Sequence, residues 1–302
     1  MIKVSSQISK EIVDEIDICL NEIAPSNWSV YQDRITLDAD LVGYFENDKK
    51  QHEIIAEFKL YFDAILDTSY NDLEFNFIED KDWIESYKSH FKPWGYKDFH
   101  WIPLWLKEEY TNLNTKDFVL LDPGMAFGTG NHETTRLCLQ AIVDLRKNNQ
   151  NPLTLFDIGC GSGIISITGS KLGYLKIYAI DNDNDAVRIS KENALLNQVS
   201  NVKFEQQNLQ FFCSQNTYDV VVANIQSDIL IEQNKKIINS AKSDSTILLS
   251  GILKKEVHTV QNAFDQEIGR RRMPYKSMIK DEGEWTLIQY SIGNNFNHYP
   301  PK

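Results

Sequence analysis

No apolar run in this 302-residue chain approaches the roughly 18 residues needed to cross a bilayer. No membrane span is expected. Cysteine is scarce and scattered: Cys19, Cys138, Cys160 and Cys213 form no C-x-x-C pair. That argues against a disulfide framework or a zinc site and for a reducing compartment. The opening MIKVSSQISKEIVDEID turns acidic at Glu11, which excludes a signal peptide. The expectation is a cytoplasmic soluble protein. Basic residues are in deficit, 31 against 43 acidic, for a net charge of -12. Such a field opposes a nucleic-acid backbone and attracts a basic partner, and it also serves plain solubility. What remains is ordinary: 42% hydrophobic and 25% charged residues exclude global disorder, and the length suggests two domains.

Residues 1–80 read as a small α+β unit. IKVSSQI is strand-like, and Ile12, Ile16, Cys19, Leu20 and Ile23 recur at helical spacing behind a potential cap at Ser9. WSVYQD and LVGYFEN are strand-like. Ile54, Ile55, Phe58, Phe62 and Ile65 mark a second helix, and Leu73, Phe75 and Phe77 alternate as in a half-buried strand. The order β-α-β-β-α-β is the ferredoxin-like arrangement. Residues 81–118 hold Trp83, Trp94, Trp101 and Trp105, with Tyr87, Phe91, Tyr96 and Phe99 between them. They read as an aromatic linker, either a seam between two domains or a substrate-facing wall.

From 119 to 293 strands and helices alternate. LTLFDIG, KIYAIDND, NVKFE, YDVVVANI and STILLSGIL are strands, with helices between them that include a single one over DILIEQNKKIINSA. Near-continuous apolar strands with helical connections predict an α/β fold, a parallel sheet covered on both faces. KKEVHTVQNAF then adds a helix and EWTLIQYSI an edge strand. Residues 294–302, NNFNHYPPK, read as a frayed tail. The run Arg270-Arg271-Arg272 reads as a charged strand edge, with an RNA-touching patch as the alternative.

The strongest chemical signal is Asp157-Ile-Gly159-Cys-Gly161-Ser-Gly163, which follows a strand and opens a helix. Glycines there permit a tight turn and close backbone approach to a ligand. Ligands in open parallel sheets bind beyond the carboxyl ends of the strands. Asp181 ends the next strand, where a carboxylate can accept both hydroxyls of a ribose. The spacing is G-x-G-x-G, with Ile164 where a dinucleotide fingerprint needs a third glycine. Asp157 repels a pyrophosphate but suits a cationic amino-acid moiety. S-adenosylmethionine, with its ammonium and sulfonium and no phosphate, is favoured over NAD. Asn224 ends the fourth strand over the same crevice. Its amide can hold an amine nucleophile, fix a cofactor or simply cap a helix. Upstream lies GMAFGTGNHETT, a glycine-rich loop in which Thr134 and Thr135 are candidate helix caps. His132 by itself is weak grounds for catalysis. No metal site is expected.

GMAFGTGNHETT resembles the G-[LM]-A-F-G-T-G-x-H-x-T-T signature of the bacterial ribosomal protein methyltransferase family (PrmA). The likeness continues in RLCLQAI, DIGCGSGI, AIDNDNDAV, VVVANI, LLSGIL and the aromatic segment, so it covers almost the whole chain. The resemblance implies a Rossmann-like class I S-adenosylmethionine-dependent methyltransferase domain preceded by a small ferredoxin-like domain that grips the substrate. It implies N-methylation of the eleventh protein of the large ribosomal subunit, on lysine ε-amines and potentially the α-amine. By position, cofactor contacts carry over to Thr135, Gly159, Asp181 and Asn224. Asp157 and Gly161 join them from the glycine turn, and Asn224 is the candidate catalytic residue. The partner is then a basic ribosomal protein in its free form, with no nucleic acid or membrane bound. A monomeric enzyme is expected.

Three residues depart from the pattern. N-I-L-A is Asn224-Ile225-Gln226-Ser227 here, and Glu133 replaces the commoner proline. These leave room for the same chemistry on another amine. A sensor that binds S-adenosylmethionine without turnover is the rival of another class.

Overall fold

Alternation in IKVSSQI turns Ile2, Val4, Ser6 and Ile8 to one face, and all four are buried. A computed structural model describes residues 2–22, 27–32, 39–45, 48–63, 65–66, 73–77, 92–110, 117–121, 132–148, 151, 153–213 and 216–293. The chain divides into two units, 1–90 and 91–302. In the first, β1 (Ile2–Ile8) leads through a 3-10 turn into α1 (Val13–Glu22), with the Ser9 hydroxyl accepting from the Glu11 N–H. Then come β2 (Trp28–Gln32), β3 (Ala39–Phe45), α2 (Gln51–Phe62) and β4 (Glu74–Phe77). The sheet order is β2-β3-β1-β4, antiparallel throughout, as in a ferredoxin-like fold. Ile16, Trp28, Leu41, Ile54, Phe58 and Phe62 fill its core. The expected stripe is inside only at its start: Leu73, just before β4, is buried and Phe77 is exposed.

The second unit opens on β5 (Trp94–Tyr96), β6 (Phe99–Pro103) and β7 (Phe118–Leu121), a small separate sheet in which β6 and β7 run parallel. Composition leaves this segment as either a seam between domains or a substrate-facing wall. The structure instead places Phe99 and Trp101 inside the core of this unit, with Trp94 stacked on Trp101 at 4.1 Å between centroids. The Trp101 indole N–H donates to the buried Thr168 hydroxyl at 2.9 Å, which satisfies the one polar atom the ring carries inside. Trp83, Tyr87 and Phe91 lie outside the described residues, as do the 294–302 tail and the expected boundary at residue 80.

The main sheet follows. Its elements are α3 (Glu133–Asn148), β8 (Thr154–Ile158), α4 (Ile164–Lys171), β9 (Lys176–Asp181), α5 (Asn184–Leu196), β10 (Val202–Gln206) and β11 (Tyr218–Asn224). After these come α6 (Ser227–Glu232), α7 (Asn234–Asn239), β12 (Ala241–Leu253), α8 (Val257–Arg270), β13 (Tyr275–Glu282) and β14 (Trp285–Ile292). The strand order is β10-β9-β8-β11-β12-β14-β13, parallel from β10 to β12 and antiparallel beyond. This is the Rossmann-like architecture expected. Two buried clusters, one on each face, sandwich the sheet.

Three expectations are corrected. EWTLIQYSI is not the edge: β14 is almost wholly buried between β12 and β13. The true edge, β13, reads YKSMIKDE, whose charges hide it from a hydrophobicity scan. The helix over DILIEQNKKIINSA breaks at Gln233 into α6 and α7. The arginine run is not at a strand edge but at the end of α8. Arg270 and Arg271 both donate to Glu267, at 2.7 Å each, where cations also oppose the negative end of the helix dipole.

Candidate active site

The main sheet's crevice opens where β8 ends. Gly159, Gly161 and Gly163 all take positive φ, +72°, +52° and +80°. A Cβ on Gly159 would stand 2.4 Å from Cγ2 of Ile225, so both backbone and space demand glycine there. The N–H groups of Gly159 and Cys160 donate to the Ile180 carbonyl at 2.9 and 3.0 Å, which pins the turn to the end of β9. The Gly161 N–H donates to Asp181 Oδ2 at 2.9 Å, and the Asp183 N–H donates to Oδ1 at 3.0 Å. The carboxylate at the end of the second strand is thus oriented by backbone amides on both oxygens.

Asp157 lies beneath the turn, fully buried. The Ser166 hydroxyl donates to its Oδ2 at 2.7 Å, while Oδ1 has no hydrogen-bond partner. Burial pushes its carboxyl up to about 7; the Ser166 bonds oppose that and the nearby Asp181 charge adds to it. Burial likewise raises the thiols of Cys138 and Cys160, which fits packing rather than nucleophilic roles.

Asn224 ends β11, half-buried, and its amide reaches the Thr135 hydroxyl at 3.4 Å. Thr135 is buried in the first turn of α3. Thr134 and Thr135 do not cap that helix. His132 does: its carbonyl accepts from the Thr135 and Arg136 N–H groups at 3.1 Å each, and Nδ1 accepts from the Thr134 N–H at 3.3 Å. The imidazole also stands edge-on to Trp285, 4.9 Å between centroids. Residues 122–131, the bulk of the signature loop, lie outside the described residues.

A cavity of 240 Å³ opens at this end of the sheet, and Gly159 and Asp181 line it. Its size is just below the roughly 300–1,000 Å³ of most small-molecule sites, enough for a nucleoside-sized group. Asp157 is not among its lining residues but stands one residue before Ile158, which is; Gly161 is tied to Asp181, and Asn224 with Thr135 forms a second cluster at the adjacent strand end. Residues that motif reading passed over complete the walls: Gln207, Asn208 and Leu209 after β10, then Ile225, Ile229 and Gln233. The switch-point rule applied to the third strand would have found the first three. A larger recess, 630 Å³, is lined by Lys176, Tyr178, Lys203 and Phe212 at the opposite end of β9 and β10. The carboxyl-end rule sets it apart from the chemistry.

Comparison with known proteins decides the family. The family model described as Ribosomal protein L11 methyltransferase (PrmA) matches residues 7–291. The chain belongs to this family. It is 36% identical over 221 residues to the ribosomal protein L11 methyltransferase of Thermoanaerobacter sp. (strain X514), covering 72% of this chain and 67% of that protein. It is 32% identical over 287 residues to that of Clostridium botulinum (strain Eklund 17B / Type B), covering 92% and 88%. A solved ribosomal protein L11 methylase from Lactobacillus delbrueckii subsp. bulgaricus superposes with a TM-score of 0.57 at 26% identity, covering 68% of this chain and all of that one. As a member of the ribosomal protein L11 methyltransferase family the protein is an enzyme, and its methyl donor is S-adenosylmethionine.

The residues present fit that donor. An unpaired buried carboxylate oxygen suits a cationic ligand, the glycine cradle has no room for a Cβ, and the cavity pairs apolar walls with amide side chains. Among the described residues no group of three or more His, Cys, Asp or Glu side chains is placed to hold a metal ion. The departures from the family pattern are built in. The Ser227 hydroxyl donates to Glu256 Oε2 at 2.7 Å, and the Leu253 N–H donates to the same oxygen at 3.0 Å. Gln226 is exposed, and Glu133 lies against the Gly283 turn between β13 and β14.

Proposed function

We propose that this enzyme methylates lysine ε-amines of ribosomal protein L11, and potentially its α-amine, acting as a cytoplasmic monomer on the free protein. The observation that carries the site assignment is the buried Asp157 carboxylate with its unpaired Oδ1 beneath the glycine turn. It supports a cationic, phosphate-free ligand there. Gly159 and Gly161 bring the backbone against it, Asp181 takes the ribose hydroxyls, and Thr135 and Asn224 bound the transfer end. The amides after β10 and the apolar walls take the purine.

S-adenosylmethionine supplies a methyl group on a sulfonium, open to direct in-line displacement by a nucleophile. What this chain must supply is position and a neutral amine. A free lysine has a pKa near 10.4, so neutralising it at pH 7 costs about 4.6 kcal/mol. A pocket that excludes water lowers that cost, because desolvation disfavours the ammonium. The Asn224 carbonyl orients the amine by accepting its N–H, leaving the lone pair free. No covalent enzyme intermediate is needed. The net charge of -12 supports a basic protein substrate by steering encounter. The exposed Gln226 beside Asn224 supports a second reading, the same chemistry on a different amine.

The test is intact-mass measurement of unmodified L11 after incubation with enzyme and S-adenosylmethionine. Whole CH2 increments that vanish in Asp181→Ala and in Asn224→Ala are expected. No increment, with S-adenosylhomocysteine still bound, moves the substrate to another amine.

A further inference from the structure

The glycine turn is held from a direction that has nothing to do with the crevice. Ser162, fully buried inside the turn, has its carbonyl bonded by the Asn193 side-chain amide at 3.0 Å. Four residues on, at the C-terminal cap of α5, stands Asn197. Its Nδ2 donates to the Leu120 carbonyl at 2.7 Å and to the Asn193 carbonyl at 2.8 Å, and its Oδ1 accepts from the Leu120 N–H at 2.8 Å. Both asparagines are nearly inaccessible, 2% and 3% exposed.

The chemistry here is specific. Leu120 lies in β7, whose strand partner is β6. At Leu120 the Asn197 amide does for β7 what another strand would do, donating and accepting like a peptide group. This pattern of donors and acceptors admits one orientation of the Asn197 amide. Residues four apart on a helix share a face, so the last turn of α5 and its cap grip the cofactor turn with one side chain and β7 with the next. Neither side chain has access to a ligand, and the turn they hold is where the cofactor is assigned.

We infer that Asn193 and Asn197 are positioning residues, a buried amide relay through which strand β7 and the glycine turn hold one another in the geometry that binds S-adenosylmethionine. The inference rests on the cofactor reading above. It separates this pair from ordinary core asparagines, because affinity for the cofactor depends on groups that never touch it. Truncating Asn193 removes its hydrogen bond to the Ser162 carbonyl, and with it the tie that holds the turn to α5. Coupling of this kind is reciprocal: cofactor binding must also tighten β7.

The experiment has two arms. In the first, S-adenosylhomocysteine is titrated calorimetrically into the full-length wild type, Asn193→Ala and Asp219→Asn. Asp219 straps the start of β8, the end of that strand away from the turn, through Thr154, and also binds Lys242 of β12. Its loss lowers the melting temperature without reaching the turn. Asn193→Ala is expected to raise Kd about tenfold and to raise KM for S-adenosylmethionine with kcat nearly unchanged, while Asp219→Asn keeps the wild-type Kd. A Kd within twofold of wild type for Asn193→Ala overturns the relay. The second arm needs no variant. Hydrogen exchange in the wild-type protein, with and without S-adenosylhomocysteine, is compared at the Leu120 amide and at the Thr154 amide, which is bonded to Asp219. Selective slowing at Leu120 supports the relay, and equal slowing at both overturns it. A wild type that fails to bind S-adenosylhomocysteine overturns the cofactor reading instead.

Discussion

Asp157 makes the stability of the fold depend on pH. Its carboxyl is fully buried with a single hydrogen-bonding side chain, and its pKa is raised from 3.8 to about 7. In the unfolded chain it loses its proton near pH 4, whereas in the folded protein it keeps it until about 7. Between those values the native state binds more protons than the unfolded state, so its contribution falls as pH rises, by on the order of 4 kcal/mol in all. Below pH 4 the contribution is complete and above 7 the loss is complete. Asp157→Asn removes the titration and keeps the volume. The variant, free of cofactor, is therefore expected to melt above the wild type at pH 8 and beside it at pH 4, while binding S-adenosylhomocysteine more weakly. Thermal melts across that range check it; parallel curves would count against the burial argument. The position of Asp157 before the glycines was visible in the sequence. Its missing partner at Oδ1 was not, because that depends on what α4 and the neighbouring strands bring near it.

Helix ends account for much of what local sequence misjudged. At the start of α3, Thr134 and Thr135 have the chemistry of caps, yet His132 does the capping and Thr135 turns toward Asn224. At the end of α8, three consecutive arginines look like a solvated edge. Two of them instead converge on Glu267, whose side chain is only 5% exposed. The Arg270 hydrogen bond, with further help from Arg271, lowers the Glu267 carboxyl from 4.5 to about 2. The pair's contribution is thus present above pH 4.5 and is lost as pH falls toward 2. Glu267→Gln should lower the melting temperature at pH 7 by a few degrees, with the gap narrowing as pH falls from 4.5 toward 2. A gap independent of pH would mean that the arginines act through packing alone.

Charge belongs to the molecule as a whole. An excess of acidic residues acts at the range of a Debye length, about 10 Å at 0.1 M salt, and so influences encounter more than the bound geometry. The free basic substrate should accordingly be methylated with a kcat/KM that falls steeply as salt rises from about 50 to 500 mM, chiefly through KM. The same reasoning expects slower methylation on intact ribosomes, where exposed RNA presents a repelling surface. Equal rates on the free protein and on intact ribosomes would remove charge steering from the account.

The β-α-β-β-α-β order of the first unit, the parallel strands β8 to β12 of the Rossmann-like sheet, the glycine turn at the end of β8 and the acid at the end of β9 were all determined by the sequence alone. Each is a local pattern: apolar residues at spacing two or four, and glycines where positive φ is required. Only the tertiary structure decided the rest. β13 became the edge because β14 could bury both faces. Trp101 went into the larger unit's core, where Thr168 accepts its indole N–H. The cavity drew Gln207, Asn208 and Leu209 from a segment with no motif. Asn193 and Asn197 became a relay because a carbonyl and a strand edge came within their reach. The physical reason is common to all of these. A buried polar group must find a partner, and the partner is fixed by where distant segments meet, which no periodicity along the chain records.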